Sequence, residues 1–225
     1  MPSDHKVSRL YEDDLRREAL RLRELGKIGW RTMSFDIVSL LFDVVLPALR
    51  AMDKAFTVEI FDDPHVGYHE PAWVDLGTRT LHVGRHILEW AKTGDARSRF
   101  IIAHEIGHMI FHRDQQMAFS QGKEFQLGFL ADEESAEWQA NTFAANLLLP
   151  NHLLRKLVSL PVSAIAGITL VEENFAADRK ARLIGSKLFQ VGYTGDPCTE
   201  CSNFTVMRDG LTLRCDTCGA LVGQY

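Results

Sequence analysis

Two histidines and a glutamate in the run Ile102-Ala-His104-Glu105-Ile-Gly107-His108-Met-Ile110 have the types and spacing for metal chemistry. On a helix, residues four apart share a face, so His104 and His108 can aim imidazole nitrogens at one ion. Glu105 lies about 100° round the axis, placed to hold a water without ligating the metal. A zinc ion held there makes water acidic and polarises a carbonyl. Glu105 would take the proton of that water during attack and return it to the leaving amine.

A catalytic zinc takes three protein ligands and keeps one position open. His112 shares the helical face but stands one further turn away, about 6 Å along the axis, too far for the same ion. A place at the helix C-terminus, where positive charge is favourable, suits it better. The spacing that supplies a third histidine six residues after the second fails, because that position is Asp114. A glutamate from a later helix remains, the gluzincin arrangement, and Glu133, Glu134 and Glu137 are candidates. Glu137 is favoured: Asn141 and Ala144 or Ala145 share its stripe, so Asn141 can bond a ligand imidazole while the alanines permit close helix approach. Glu133 and Glu134 also fit an ordinary acidic first turn.

These blocks resemble the ImmA/IrrE family of metallopeptidases. They read Arg97-x-Arg99-Phe100-x-x-Ala103-His104-Glu105-x-Gly107-His108 and Glu137-x-x-Ala140-Asn141-x-Phe143-Ala144-x-x-Leu147-Leu148-x-Pro150. The resemblance covers about residues 35–190. It departs at Gln139, where the family often has a second glutamate, and no amino-terminal helix-turn-helix of the repressor-fused relatives is evident. It implies a cytoplasmic endopeptidase that makes a specific cut in a protein, often a helix-turn-helix repressor of mobile elements or stress genes. Manganese or iron also suits a histidine–carboxylate set. For the oxyanion, His65, Tyr68, His69, His82 and His86 are candidates by type, but surface or packing roles account for each of them better, and none is singled out.

The elements that must position these groups follow from periodicity. Helices are expected over 11–30, 35–53, 84–92, 97–112, 132–149, 151–159 and 163–189. Strands are expected at Thr57–Phe61, His65–His69, Ala72–Leu76 and Thr80–Val83, with a turn at Gly77-Thr-Arg79. Residues 114–131 read as a long loop shaping substrate access. The fold class is α+β: a helix-rich gluzincin-like core with a small sheet.

Cys198-x-x-Cys201 and Cys215-x-x-Cys218 account for all four cysteines. Flanking a hairpin signal at Arg208-Asp-Gly210, they predict a zinc ribbon with a structural zinc. A dithiol redox module is the rival, and the one basic residue next to a cysteine, Arg214, stands in a tail whose charges are mostly acidic. From 196 to 225 two arginines face four carboxylates, which opposes a DNA-binding tail and leaves protein docking or plain structure.

The predicted organisation is an N-terminal helical extension at 1–31, a metallopeptidase core at 32–160, a helical segment and linker at 161–195, and the ribbon at 196–225. The hydrophobic fraction of 46% supports a real core, and the net charge of −5 argues against a surface that grips nucleic acid. Met1–Leu10 lacks an apolar signal core. The apolar stretch 35–52 is broken by Asp36, Asp43, Pro47 and Arg50, so no membrane segment is expected. A cytoplasmic place with reduced or metal-bound cysteines follows. The competing function is a non-proteolytic, partner-binding regulator with a vestigial metal site. The sequence leaves oligomeric state open.

Overall fold

The structure, a computed structural model, describes residues 4, 6–53, 55–62, 71–113, 131–190, 193–194, 196–203, 205–210 and 212–224. It divides into two compact units, Met1–Leu153 with Gly167–Glu172, and Leu154–Ala166 with Glu173–Tyr225. Among the described residues no helix is long and apolar enough to cross a membrane.

The first unit begins with α1 (Glu12–Leu25), which buries Leu15, Ala19 and Leu22 on one stripe. Next come α2 (Ile37–Ser39), a π-helical segment (Leu40–Val45) and α3 (Leu46–Met52). One straight helix over 35–53 was expected. Pro47 has no N–H to donate, and the chain widens ahead of it, with the Leu46 amide donating to the Leu41 carbonyl five residues back.

Strands β1 (Thr57–Phe61), β2 (Ala72–Asp75) and β3 (Thr80–Gly84) form a sheet in the order β1-β3-β2, with β1 parallel and β2 antiparallel to β3. The β2–β3 turn is set by Asp75 Oδ1, which accepts from the Gly77 and Thr78 amides at 2.8 and 3.1 Å. The expected strand His65–His69 and the loop at 114–130 lie outside the described residues.

Helices α4 (Arg85–Lys92), α5 (Ala96–Phe111) and α6 (Ala136–Leu148) complete the frame, with a 3₁₀ turn (Asp132–Glu134) before α6. Asp95 caps α5 by accepting from the Ser98 amide at 2.8 Å, and the Ser98 hydroxyl together with that amide holds the Asp95 carboxyl below its ordinary range. Ser135 caps α6 through the Trp138 amide at 2.9 Å, and Pro150 stops it. Ile102, Ile106 and Met109 of α5 and Phe143 and Leu147 of α6 are fully or almost fully buried. A helix apolar on most sides belongs inside, and this pair forms the centre of the unit.

Helices α7 (Asn151–Leu157), α8 (Val162–Thr169) and α9 (Glu173–Gln190) follow. A single helix over 163–189 was expected, but Leu170 adopts φ 54° and breaks it. Its carbonyl instead accepts from the buried Arg99 guanidinium at 3.1 Å. In the second unit β4 (Val206–Asp209), β5 (Thr212–Cys215) and β6 (Leu221–Gln224) form an antiparallel sheet around Cys198, Val206 and Cys215.

Candidate metal centres

The side chains that could hold a metal come from consecutive turns of α5 and the first turn of α6. His104 and His108 lie on one face of α5, and their Nε2 atoms approach to 2.9 Å. The Glu137 carboxylate closes the group, 3.4 Å from His104 Nε2 and 3.5 Å from His108 Nε2. Three donors at 2.0–2.1 Å from a tetrahedral zinc stand about 3.3 Å apart, so the set fits the ion in number, type and spacing. Burial lowers the affinity of His104 for a proton, but Glu137 outweighs it and the imidazole titrates above its ordinary value. The same histidines hold the Glu137 carboxyl far below the usual range. A metal cation bound by this set would displace the imidazole protons and take their place beside the carboxylate. Glu137 is one-third exposed, so the cluster opens to solvent on its side.

Of the other acidic candidates, Glu134 pairs with Lys6 at 3.1 Å and Arg9 at 3.3 Å, while Glu133 offers its backbone carbonyl to Leu10 and Gln139. Neither belongs to the converging group, which is His104, His108 and Glu137. Glu105 is buried on the flank of α5, beside both histidines in sequence and outside that group.

The supports behind the imidazoles differ. His104 Nδ1 lies 2.9 Å from Asn141 Oδ1. His108 Nδ1 lies 2.9 Å from His112 Nδ1, and His112 Nε2 lies 3.1 Å from Gln139 Oε1. His112 does end α5, as its spacing suggested, but it carries no charge there. It is almost wholly buried, and burial, reinforced by His108, pushes its pKa down to about 4. His82 stacks on Trp73 with ring centroids 4.5 Å apart, and His86 meets Trp90 edge-on, so both serve packing. His65, Tyr68 and His69 lie outside the described residues.

One contribution had no signal in the sequence. Asp4 and residues 6–10 lie along the start of α6: Lys6 bridges Ser135, Val7 N–H donates to Glu134 O at 2.8 Å, and Leu10 N–H donates to Glu133 O at 3.0 Å. Asp4 accepts from Ser135 Oγ at 2.6 Å and from the Glu137 amide at 3.2 Å. These are mostly backbone bonds, which any sequence can make, so side-chain pattern does not reveal them.

The four cysteines also converge, in the second unit. Cys198 and Cys218 sulfurs are 3.7 Å apart, and Cys201 and Cys215 sulfurs 3.6 Å. Zinc–sulfur bonds of 2.3 Å in a tetrahedron give edges of about 3.8 Å, so this set fits zinc as well. The two knuckles share one turn: Ser202 N–H donates to Cys198 O and Gly219 N–H to Cys215 O, each at 2.8 Å, with Ser202 and Gly219 both left-handed at φ 58° and 75°. The Thr205 hydroxyl and the backbone amides of the second knuckle hold the Cys215 thiol below its ordinary pKa.

Comparison with known proteins separates a whole-domain match from local ones. A stretch of 32 residues is 59% identical to the vitamin B12-dependent ribonucleotide reductase of Agrobacterium fabrum, covering 14% of this chain and 2% of that enzyme. The Bradyrhizobium diazoefficiens reductase matches at 53% over 32 residues, 14% of this chain and 3% of the enzyme. This chain thus spans a small fraction of those enzymes' length. The solved structure of a Mycobacterium tuberculosis transcriptional regulator is similar over 74% of this chain and 46% of that chain, with 18% identity and a TM-score of 0.45. The Peptidase_M78 profile, described as the IrrE N-terminal-like domain, matches residues 64–179, just over half of the sequence, and takes in α5 and α6 with all three converging donors. The chain belongs to the Peptidase_M78 family.

Proposed function

We propose that this protein is a zinc-dependent endopeptidase that makes a specific regulatory cut in a protein substrate. The observation that carries the reading is the convergence of His104 Nε2, His108 Nε2 and the Glu137 carboxylate beside Glu105. Zinc bound by that set would acidify water and polarise the scissile carbonyl. The Glu105 carboxylate takes the water proton and delivers it to the leaving nitrogen. Asn141 orients His104, and the half-open side of Glu137 admits the substrate. Membership of a metallopeptidase family supports this chemistry over the partner-binding alternative, as does the retention of every group it needs.

The substrate we propose is a helix-turn-helix repressor met in the cytoplasm, in keeping with the family resemblance. The four-cysteine module would hold a second, structural zinc and serve docking. Co-expression with repressors encoded nearby, comparing the wild type with Glu105→Gln, tests the reading. Cleavage by the wild type alone is expected; equal cleavage by both would overturn the mechanism. Loss of residues 196–225 should weaken cleavage of the native target, and unchanged cleavage would remove the docking role.

A further inference from the structure

The contacts behind His108 continue beyond the single partner that a ligand imidazole needs. His108 Nδ1 meets His112 Nδ1, His112 Nε2 meets Gln139 Oε1, and Gln139 Nε2 donates to the carbonyls of Ser8 at 2.8 Å and Glu133 at 2.7 Å. A carbonyl oxygen only accepts, so the last two contacts fix the amide. Turning it over would set Gln139 Oε1 against two oxygens.

Each proton upstream is then determined. Gln139 Oε1 accepts, so His112 Nε2 carries hydrogen. The His112–His108 contact joins two Nδ1 atoms, of which one must donate. Were His112 the donor, His108 would hold its proton on Nε2, pointing at His104 Nε2 and Glu137. Were His108 the donor, its Nε2 lone pair would face those groups and be free for a metal. A His108 that ligates through Nε2 keeps that nitrogen free of hydrogen, which leaves only the second arrangement.

We propose that His112 and Gln139 are positioning residues: the Ser8 and Glu133 carbonyls orient the Gln139 amide, and through it His112 holds His108 with Nδ1 protonated and Nε2 open. This rests on the reading of His104, His108 and Glu137 as a metal-binding set. It gives Gln139 a double task, accepting from His112 Nε2–H through Oε1 and donating through Nε2 to the Ser8 and Glu133 carbonyls, neither of which an apolar side chain can do. It also makes Ser8, from the segment ahead of α1, part of the support of a metal ligand more than ninety residues away in sequence.

The test uses the full chain labelled with ¹⁵N-histidine. Ring-nitrogen spectra of the metal-stripped wild type should show His112 protonated on Nε2 and His108 on Nδ1. Zinc titration against a competing chelator, counted separately from the cysteine site, should then show affinity at the histidine site reduced about 10–100-fold in Gln139→Leu and in His112→Phe. His112→Phe preserves packing volume, and circular dichroism melts establish that each variant is folded. His112 protonated on Nδ1 in the wild type, or affinity unchanged in both folded variants, would overturn the relay. Should Gln139→Leu fail to fold, the wild-type spectrum and His112→Phe decide. Wild-type protein that takes up no metal at His104, His108 and Glu137 would instead overturn the proposed function.

Discussion

Gly107 of α5 faces Ala140 of α6 so closely that a Cβ at 107 would stand 3.0 Å from the Ala140 Cα and 3.2 Å from the Phe143 ring. The near atom is backbone, so no rotamer change relieves the contact, and α6 itself would have to move. Because Glu137 sits one turn before Ala140, the missing methyl at 107 sets the distance between the carboxylate and both imidazoles.

Gly107→Ala should therefore act twice. Overpacking costs about 1–3 kcal/mol, read as a lower melting temperature. Displacement of α6 should also lower zinc retention at the histidine site, read by elemental analysis after dialysis. A variant with wild-type stability and wild-type metal content would show that the two helices can part without consequence.

Glu105→Gln should separate chemistry from binding. Peptide-bond cleavage should fall by about 10²–10⁴, the range of a lost general base, while the metal content stays at the wild-type level. Loss of metal together with activity would mean that Glu105 supports the site in another way.

Asp95 ties the start of α5 by its side chain, and Asp95→Ala should cost about 1 kcal/mol in thermal or urea unfolding. Its folded-state pKa is depressed, with the Ser98 hydrogen bonds as the main cause. The stabilisation is thus present in full above the unfolded value near 3.8 and is lost as pH falls through the folded one. The gap between wild type and Asp95→Ala should be constant near neutrality and shrink below about pH 4. A gap that widens on acidification would contradict the cap.

The knuckle turns make a prediction of opposite sign. Ser202 holds the left-handed conformation that glycine supplies at 219, at a steric cost of about 1–2 kcal/mol for a residue with a Cβ. Ser202→Gly should stabilise the four-cysteine module, offset in part by the freer unfolded chain. Slower zinc release to a chelator from that site is the expected readout; faster release would show that the serine contributes something glycine lacks. Replacing Cys215 and Cys218 by serine should remove one zinc equivalent and unfold β4–β6, leaving the histidine site loaded.

Much of the site was legible because its chemistry is periodic. Histidines four apart inside an apolar run, and Glu137 with Asn141 on one stripe, are patterns that a helix converts directly into proximity. The paired Cys-x-x-Cys units are equally local. What escaped had other causes. The charge state of His112 depends on burial by elements distant in sequence, so its place at a helix end suggested a cation where the fold keeps it neutral. The break at Leu170 arises because Arg99, seventy-one residues earlier, takes its carbonyl. Propensity within 163–189 contains no trace of that bond. Gln139 stood out only as a departure from a glutamate, and its role becomes visible when the carbonyls of Ser8 and Glu133 are seen beside it.

The strap formed by Asp4 and residues 6–10 bears on the order of events in folding. Helices α5 and α6 lie near one another in sequence and can pair early, yet Glu137 and Gln139 reach their final partners only when Asp4 and Ser8 arrive from more than 130 positions away. Closing so long a loop is slow relative to local helix pairing. The histidine cluster should consequently mature last, so a nascent or partly unfolded chain would hold its metal loosely and a fully folded one firmly. For the peptidase proposed above, that timing would withhold cutting power until the N-terminal strap is in place.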